Sequence, residues 1–205
     1  MSHPLLSRSG EIVLPPRLFP AAGYYALMAA HPAAAIHLGA RFDKRLKAVH
    51  RYRIADVRGP LELTVPIVRP EGAASPQGVR WGDVGVSAHG RWWEVHSAAL
   101  ESAYGRTPFF EHYWPRLQPI FSQPQPGQTL ADLIVRADAA VRAILALPTA
   151  VRAEWACAQT AAPATNPGPY WQIRADALGF IPDLSILDLI FNLGPEAPLF
   201  LKIDN

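Results

Sequence analysis

Ile12-Val-Leu14, Pro15-Pro16, Pro20-Ala-Ala-Gly-Tyr-Tyr-Ala-Leu-Met-Ala-Ala30 and Ala34-Ala-Ile-His-Leu38 follow one another near the start of the chain, and their reading decides the fold. The first piece is apolar and ended by prolines, as a short strand would be. The long piece has the Ala, Leu, Met and Tyr content of a helix and stops before Pro32. The last reads as a second strand, closed by Gly39. Strand, helix and strand in that order are most simply a crossover between parallel strands. Open sheets of this kind take ligands beyond the carboxyl ends of their strands. A basic segment begins just there: between Arg41 and Arg53 stand six Lys/Arg and one acid. Such a patch attracts an anionic ligand. A solvated, charged loop is the alternative.

Working outward, Arg51–Val57 and Leu61–Val68 read as a hairpin joined through Arg58-Gly-Pro60. Alternation puts Arg51 and Arg53 on one face of the first strand, with Tyr52 and Ile54 on the other. Two adjacent guanidiniums repel unless an anion or carboxylates bridge them, and Glu62 is a possible partner. Pro66 cannot donate to a ladder, so the second strand is at an edge or bulged. Residues 69–80 are rich in Pro, Gly, Ser and Gln and read as a mobile loop, with Val84-Gly-Val86 a further strand.

Gly90 to Ala103 has a helical pattern in which Trp92, His96, Ala99 and Ala103 share an apolar face. Thr107-Pro108 carries the cap and first-turn proline of another helix, which Pro115 and Pro119 shorten. The strongest helix follows. Thr129 and Asp132 cap it, and Leu130, Leu133, Ile134, Ala137, Val141, Ile144 and Leu145 form its core stripe. Residues 149–169 lack periodicity, and Asn166-Pro-Gly-Pro169 is a turn. Tyr170–Arg174 reads as a last strand. In Phe180-Ile-Pro-Asp-Leu-Ser-Ile-Leu-Asp-Leu-Ile-Phe-Asn-Leu-Gly-Pro195, Ser185 and Asp188 form a capping-box variant. Ile186, Leu189, Ile190 and Leu193 repeat at helical spacing, and Gly194-Pro195 stops the helix.

The chemistry-bearing candidates are few. Among the sequence motifs there is no P-loop, Rossmann glycine fingerprint, nucleophile elbow or paired Cys/His spacing. The seven histidines are scattered, which argues against zinc. Cys157 reads as an ordinary thiol rather than a nucleophile. His96 suits acid–base work near neutrality, against the alternative of a hydrogen-bonded core histidine. Ser185, Asp188 and Asn192 are polar on an apolar helix, where capping and core hydrogen bonding would also account for them. Lys47, Arg51 and Arg53 can clamp a phosphate or carboxylate.

Several of these stretches, taken in order, resemble the WbqC-like protein family. They are Lys47 with Arg51-Tyr-Arg53, Leu63-Thr-Val-Pro-Ile67, Trp92-Trp-Glu-Val-His96, and Ser102-Ala-Tyr104 with Pro108-Phe-Phe-Glu-His-Tyr113. Tyr170-Trp-Gln172 then leads into the 180–195 segment, so the similarity spans roughly residues 15–200. Tyr52 stands where the family has Asn, and Leu18-Phe-Pro20 stands where many members have His-Gln-Pro. The resemblance implies a role near O-antigen and surface-polysaccharide synthesis, with acyl or aminoacyl (glycyl-type) transfer to a sugar-like acceptor. It implies His96 as general base, with Asp188 orienting it or countering its charge. Lys47, Arg51, Arg53, Tyr104, Tyr170, Gln172, Ser185 and Asn192 would bind substrate. The other class of reading is a non-catalytic module for an anionic ligand or a partner protein.

Composition bounds these readings. The chain has 205 residues, 50% hydrophobic and 18% charged, which fits one globular domain over residues 1–205. The expected architecture is α/β: a small mixed β-sheet with flanking helices and a mostly helical C-terminal half. A net charge of +2 is too small to imply nucleic acid. One cysteine excludes an internal disulfide and fits a reducing compartment. Leu18–Ala40 is uncharged and long enough to span a bilayer, yet His31-Pro32 splits it and no signal-peptide pattern opens the chain. The expectation is a cytoplasmic protein, with no membrane partner and a small anionic molecule as ligand. No motif names a cofactor or an oligomeric state.

Overall fold

The computed structural model describes residues 10–70, 78–156, 159–162 and 168–201. Most of the 69–80 loop, Cys157 and the first half of the 166–169 turn lie outside the described residues. The architecture is a mixed α/β one, with small sheets flanked by helices and helices dominating the second half of the chain.

Strand β1 (Glu11–Leu14), helix α1 (Ala22–Ala29) and strand β2 (Ala33–His37) form the expected parallel unit, with Leu14 registered on Ile36. Helix α1 is apolar nearly all round and accordingly buried, Tyr24, Tyr25 and Met28 included. β2 is central in a three-stranded parallel sheet, because β7 (Ala150–Glu154) pairs along its other edge. The sequence gives no alternation for β7. As an edge strand it exposes Arg152 and Ala153, and Arg152 is held by Glu11 and Glu154 rather than by a core.

β3 (Arg51–Asp56) and β4 (Gly59–Thr64) make an antiparallel hairpin. The turn is tighter than expected. Val57-Arg58 alone forms it, and Gly59, at φ +119°, already pairs with Asp56. Beyond Thr64, Pro66 interrupts the ladder, and β5 (Ile67–Val68) pairs with β6 (Gly85–Val86) instead.

Helix α2 (Trp92–Tyr104) buries Trp92, His96, Leu100 and Ala103 and packs on β3. Thr107 does not cap α3 (Phe110–Leu117): its hydroxyl donates to Tyr104 O at 2.7 Å and so closes α2. Helix α4 (Leu130–Ile144) has the full capping box between Thr129 and Asp132 and the expected buried stripe. That stripe also holds Asp138, which accepts a 2.7 Å bond from Arg142 Nε.

Residues 170–174 are not a strand. Their polar groups bond to side chains around α6 (Ile186–Leu193), Ile173 N to Asn192 Oδ1 at 3.0 Å for example, before the single-turn helix α5 (Ala175–Leu178). All eight residues of α6 are buried, and α6 packs on β3, α2, α3 and the 3-10 stretch Gly194–Leu201. No helix among the described residues is long and apolar enough to cross a membrane.

Candidate functional site

The parallel sheet positions the main cavity, which has a volume of about 940 Å3. Its wall begins at Pro15-Pro16-Arg17, directly after β1, takes in His37 at the carboxyl end of β2, and reaches Thr160 beyond β7. This is where a parallel sheet presents its ligand site. The far wall comes from the basic turn and from β3. Arg17, Arg41, Arg45, Lys47, Arg51 and Arg53 all line the cavity, against the carboxylates Glu62 and Asp183.

Some of these cations already have partners. Arg45 pairs with Asp43 at 2.8 Å, and Arg51 Nη1 donates to Glu62 at 2.5 Å across the hairpin. The Glu62 reading of the β3 face therefore holds for Arg51. Arg53 instead reaches the carbonyls of Pro182 and Asp183, at 3.4 and 3.3 Å. Arg17, Arg41 and Lys47 make no ion pair among the described residues. Burial pulls the pKa of Arg17 down, and the Tyr24 hydroxyl opposes that fall.

The α6 segment forms the floor. Ser185 lines the cavity, its N–H donates to Arg53 O at 2.8 Å, and Ile186 N donates to Pro20 O at 2.8 Å. Ser185 is the N-cap, its hydroxyl accepting from Leu187 N at 3.2 Å. It is not a capping box, because Asp188 turns inward.

Asp188 belongs to a separate, closed cluster. It is fully buried, and its Oδ2 accepts from the Tyr170 hydroxyl at 2.6 Å and from Gln172 Nε2 at 3.0 Å. Asn192 Nδ2 donates to the Asp188 carbonyl at 2.7 Å. The Tyr104 hydroxyl, which accepts from Ala55 N at 3.0 Å, also interacts with the carboxyl, although Oδ1 lacks a hydrogen bond of good geometry. Burial raises the Asp188 pKa, and the hydrogen bonds from Tyr170, Tyr104, Gln172 and Asn192 oppose that rise. Gln172 does a second job. Its amide grips both backbone groups of Ile181, at 3.0 and 2.9 Å, and so fixes the segment whose next two carbonyls hold Arg53.

His96 is also walled off. It is 2% exposed among Tyr52, Trp92 and Phe121. Nε2 lies 3.2 Å from Thr64 O, which can only accept, so Nε2 carries the hydrogen and Nδ1 accepts the Tyr52 hydroxyl at 3.0 Å. Burial lowers the His96 pKa to about 4, with the Thr64 carbonyl pulling the other way. Tyr52, not His96, belongs to the cavity wall.

The candidates thus fall into three places. Lys47, Arg51, Arg53 and Ser185 share the cavity; Asp188, Tyr104, Tyr170, Gln172 and Asn192 cluster along α6; His96 lies behind Tyr52. Sequence reasoning missed Arg17, His37 and Trp81 in the wall. His37 and Trp81 are 5% and 1% exposed, and their buried Nε2 and Nε1 have no hydrogen-bond partner among the described residues. A polar residue ending an apolar central strand was the available signal for His37. Among the described residues no three His, Cys, Asp or Glu side chains group as metal ligands.

The model of the WbqC-like protein family matches residues 15–166, a span that takes in β2, β3 and the cavity lining from Pro15 to Thr160. The chain belongs to the WbqC-like protein family. The matched span ends before α6, so the resemblance of residues 180–195 to the closing signature of the WbqC-like proteins lies outside it. No match is found among curated proteins or solved structures.

Proposed function

We propose that this WbqC-like protein binds an anionic small molecule in the cavity at the carboxyl ends of its parallel strands. The observation that carries the reading is the charge balance of that wall, six cations against two carboxylates. In a partly enclosed site such an excess attracts and orients an anion. The finer reading is tailoring of a surface glycan or small molecule, by acyl or aminoacyl transfer to a sugar-like acceptor with the cavity holding the anionic donor. In that reading His96 acts through Tyr52, and Asp188 through Gln172 and the 181–183 segment. A binding module without catalysis is the second reading. It is favoured by one specific observation: neither His96 nor Asp188 lines the cavity.

Thermal unfolding with phosphate, pyrophosphate and sulfate tests the binding proposal. A ligand at about 100 times its Kd adds about 2.7 kcal/mol, which is roughly 5–10 °C for a chain of this size. Lys47→Ala and Arg53→Ala remove that gain and leave the ligand-free transition nearly in place. A panel in which no anion raises the transition overturns the proposal.

A further inference from the structure

The charge left over in the cavity says more than that its ligand is an anion. Arg45 and Arg51 each have a carboxylate; Arg17, Arg41 and Lys47 have none among the described residues. Among the described residues Arg53 has two long bonds, to main-chain carbonyls at 3.3 and 3.4 Å. Asp183 is the remaining carboxylate of the wall, and it makes no ion pair among the described residues. A single carboxylate from a ligand, or a zwitterion such as free glycine, would leave most of this repulsion standing.

Resting on the binding reading above, we propose that the ligand is an organic phosphate with at least two negative charges, its phosphoryl oxygens taken by Lys47, Arg53, Arg41 and Arg17. Phosphoryl groups spread charge over several oxygens and so satisfy several Lys and Arg donors at once. The N-terminus of α1 supports the same chemistry: its N-cap residue, Ala21, lines the cavity and offers no side-chain cap to the first-turn N–H groups. The partly buried Arg17, without an ion pair among the described residues, lies four residues before it. The ligand is also larger than phosphate itself. A volume of about 940 Å3 is at the upper end of the range for whole small-molecule sites. The wall away from the basic turn adds Pro15, Phe19 and Ser185, together with His37 and Trp81. That surface suits an uncharged body carrying polar groups.

Titration calorimetry on the full chain at one fixed, low salt concentration tests this with pyrophosphate, uridine diphosphate, farnesyl diphosphate, acetate and glycine. Pyrophosphate is expected to bind at least about tenfold more tightly than acetate or glycine. At least one of the two organic diphosphates is expected to exceed pyrophosphate. The nucleotide arm winning marks a soluble ligand, and the farnesyl arm winning marks a lipid-linked one. Lys47→Gln and Arg53→Gln, both at exposed positions, are each expected to weaken pyrophosphate binding about tenfold with unchanged ligand-free unfolding. Acetate or glycine binding as tightly as pyrophosphate overturns the phosphate assignment but leaves anion binding in place. Both diphosphates binding more weakly than pyrophosphate overturns the organic body. Unaltered pyrophosphate affinity in both variants overturns the site, and no binding of any anion removes this inference and the binding reading together.

Discussion

The basic cavity and the Asp188 cluster are both rich in polar side chains, yet they are built on opposite terms. In the cluster most donors and acceptors are paired within a few residues and buried, Asp188 Oδ1 being the exception; Tyr170, Gln172 and Asn192 all direct bonds at Asp188. In the cavity, cations outnumber carboxylates, and Arg17, Arg41 and Lys47 have no ion pair among the described residues. Matched polar groups specify a fold, because burying them unmatched is expensive. Unmatched ones at an open wall suit a ligand. The two regions meet at residues 181–185, where Gln172 fixes Ile181 and Ser185 N bonds to Arg53 O. The cluster thus acts as the support on which one side of the cavity is set.

The sharpest way to break this contrast is Asp188→Ala. It leaves the Tyr170 hydroxyl and the Gln172 amide buried without their acceptor, at about 1–3 kcal/mol each, so the denaturant midpoint is expected to fall by the equivalent of about 3 kcal/mol or more. A loss of ligand binding with unchanged stability would instead place Asp188 among the groups that contact the ligand.

The next effect is pH-dependent. His96 has its pKa lowered to about 4, so the unfolded chain, near 6.5, takes up the proton first. Its contribution to stability is therefore fully present above pH 6.5 and is lost as pH falls toward 4, an amount of about 3 kcal/mol. Asp188 and Asp138, with raised pKa values, act in the opposite sense. Comparing wild type with His96→Gln isolates the histidine: the variant is expected to be less stable at pH 7 and to show a shallower slope between about pH 4 and 6.5. Equal slopes would contradict the buried, neutral imidazole.

A smaller effect is expected from Asp188→Asn. It keeps one acceptor oxygen, so the expected cost is about 1 kcal/mol, with ligand binding retained. Abolished binding in a folded Asn variant would restore a direct role in the site. The smallest stability effect is expected from Glu62→Gln. The Arg51–Glu62 pair is partly exposed, so its loss costs about 0–1 kcal/mol. The freed Arg51 is expected to tighten pyrophosphate binding, as titration calorimetry would show. Weaker binding would mean that Glu62 positions Arg51 for the ligand.

The sequence was most legible where local chemistry and packing agree. The Thr129–Asp132 capping box, the apolar runs of β1 and β2 and the buried stripe of α4 all appear in the structure as their residues imply. It misled where side chains replace backbone partners. Tyr170–Arg174 has strand composition, but Asn192 Oδ1 takes the Ile173 N–H that a neighbouring strand would have taken, and the Gln172 side chain bonds to Ile181 and Asp188. Ser185 and Asp188 have capping-box spacing, yet Tyr170 and Gln172 draw the carboxylate inward. β7 was silent because an exposed edge strand needs no alternation. The basic half of the site could be read from 41–53 because charge density is local. The placement of Arg17, His37 and Trp81 in the same wall is a product of tertiary folding.

The central claim is that ligand chemistry belongs to the cavity and that the Asp188 cluster only supports it. Backbone-amide NMR of the full chain during a pyrophosphate titration tests this most directly. The expected result is a saturable shift of amides in residues 17–24, 37–41, 47–53 and 183–185, with those of 170–172 and 188–193 nearly unmoved. Shifts centred on 170–172 and 188–193, with the basic turn unmoved, would contradict it.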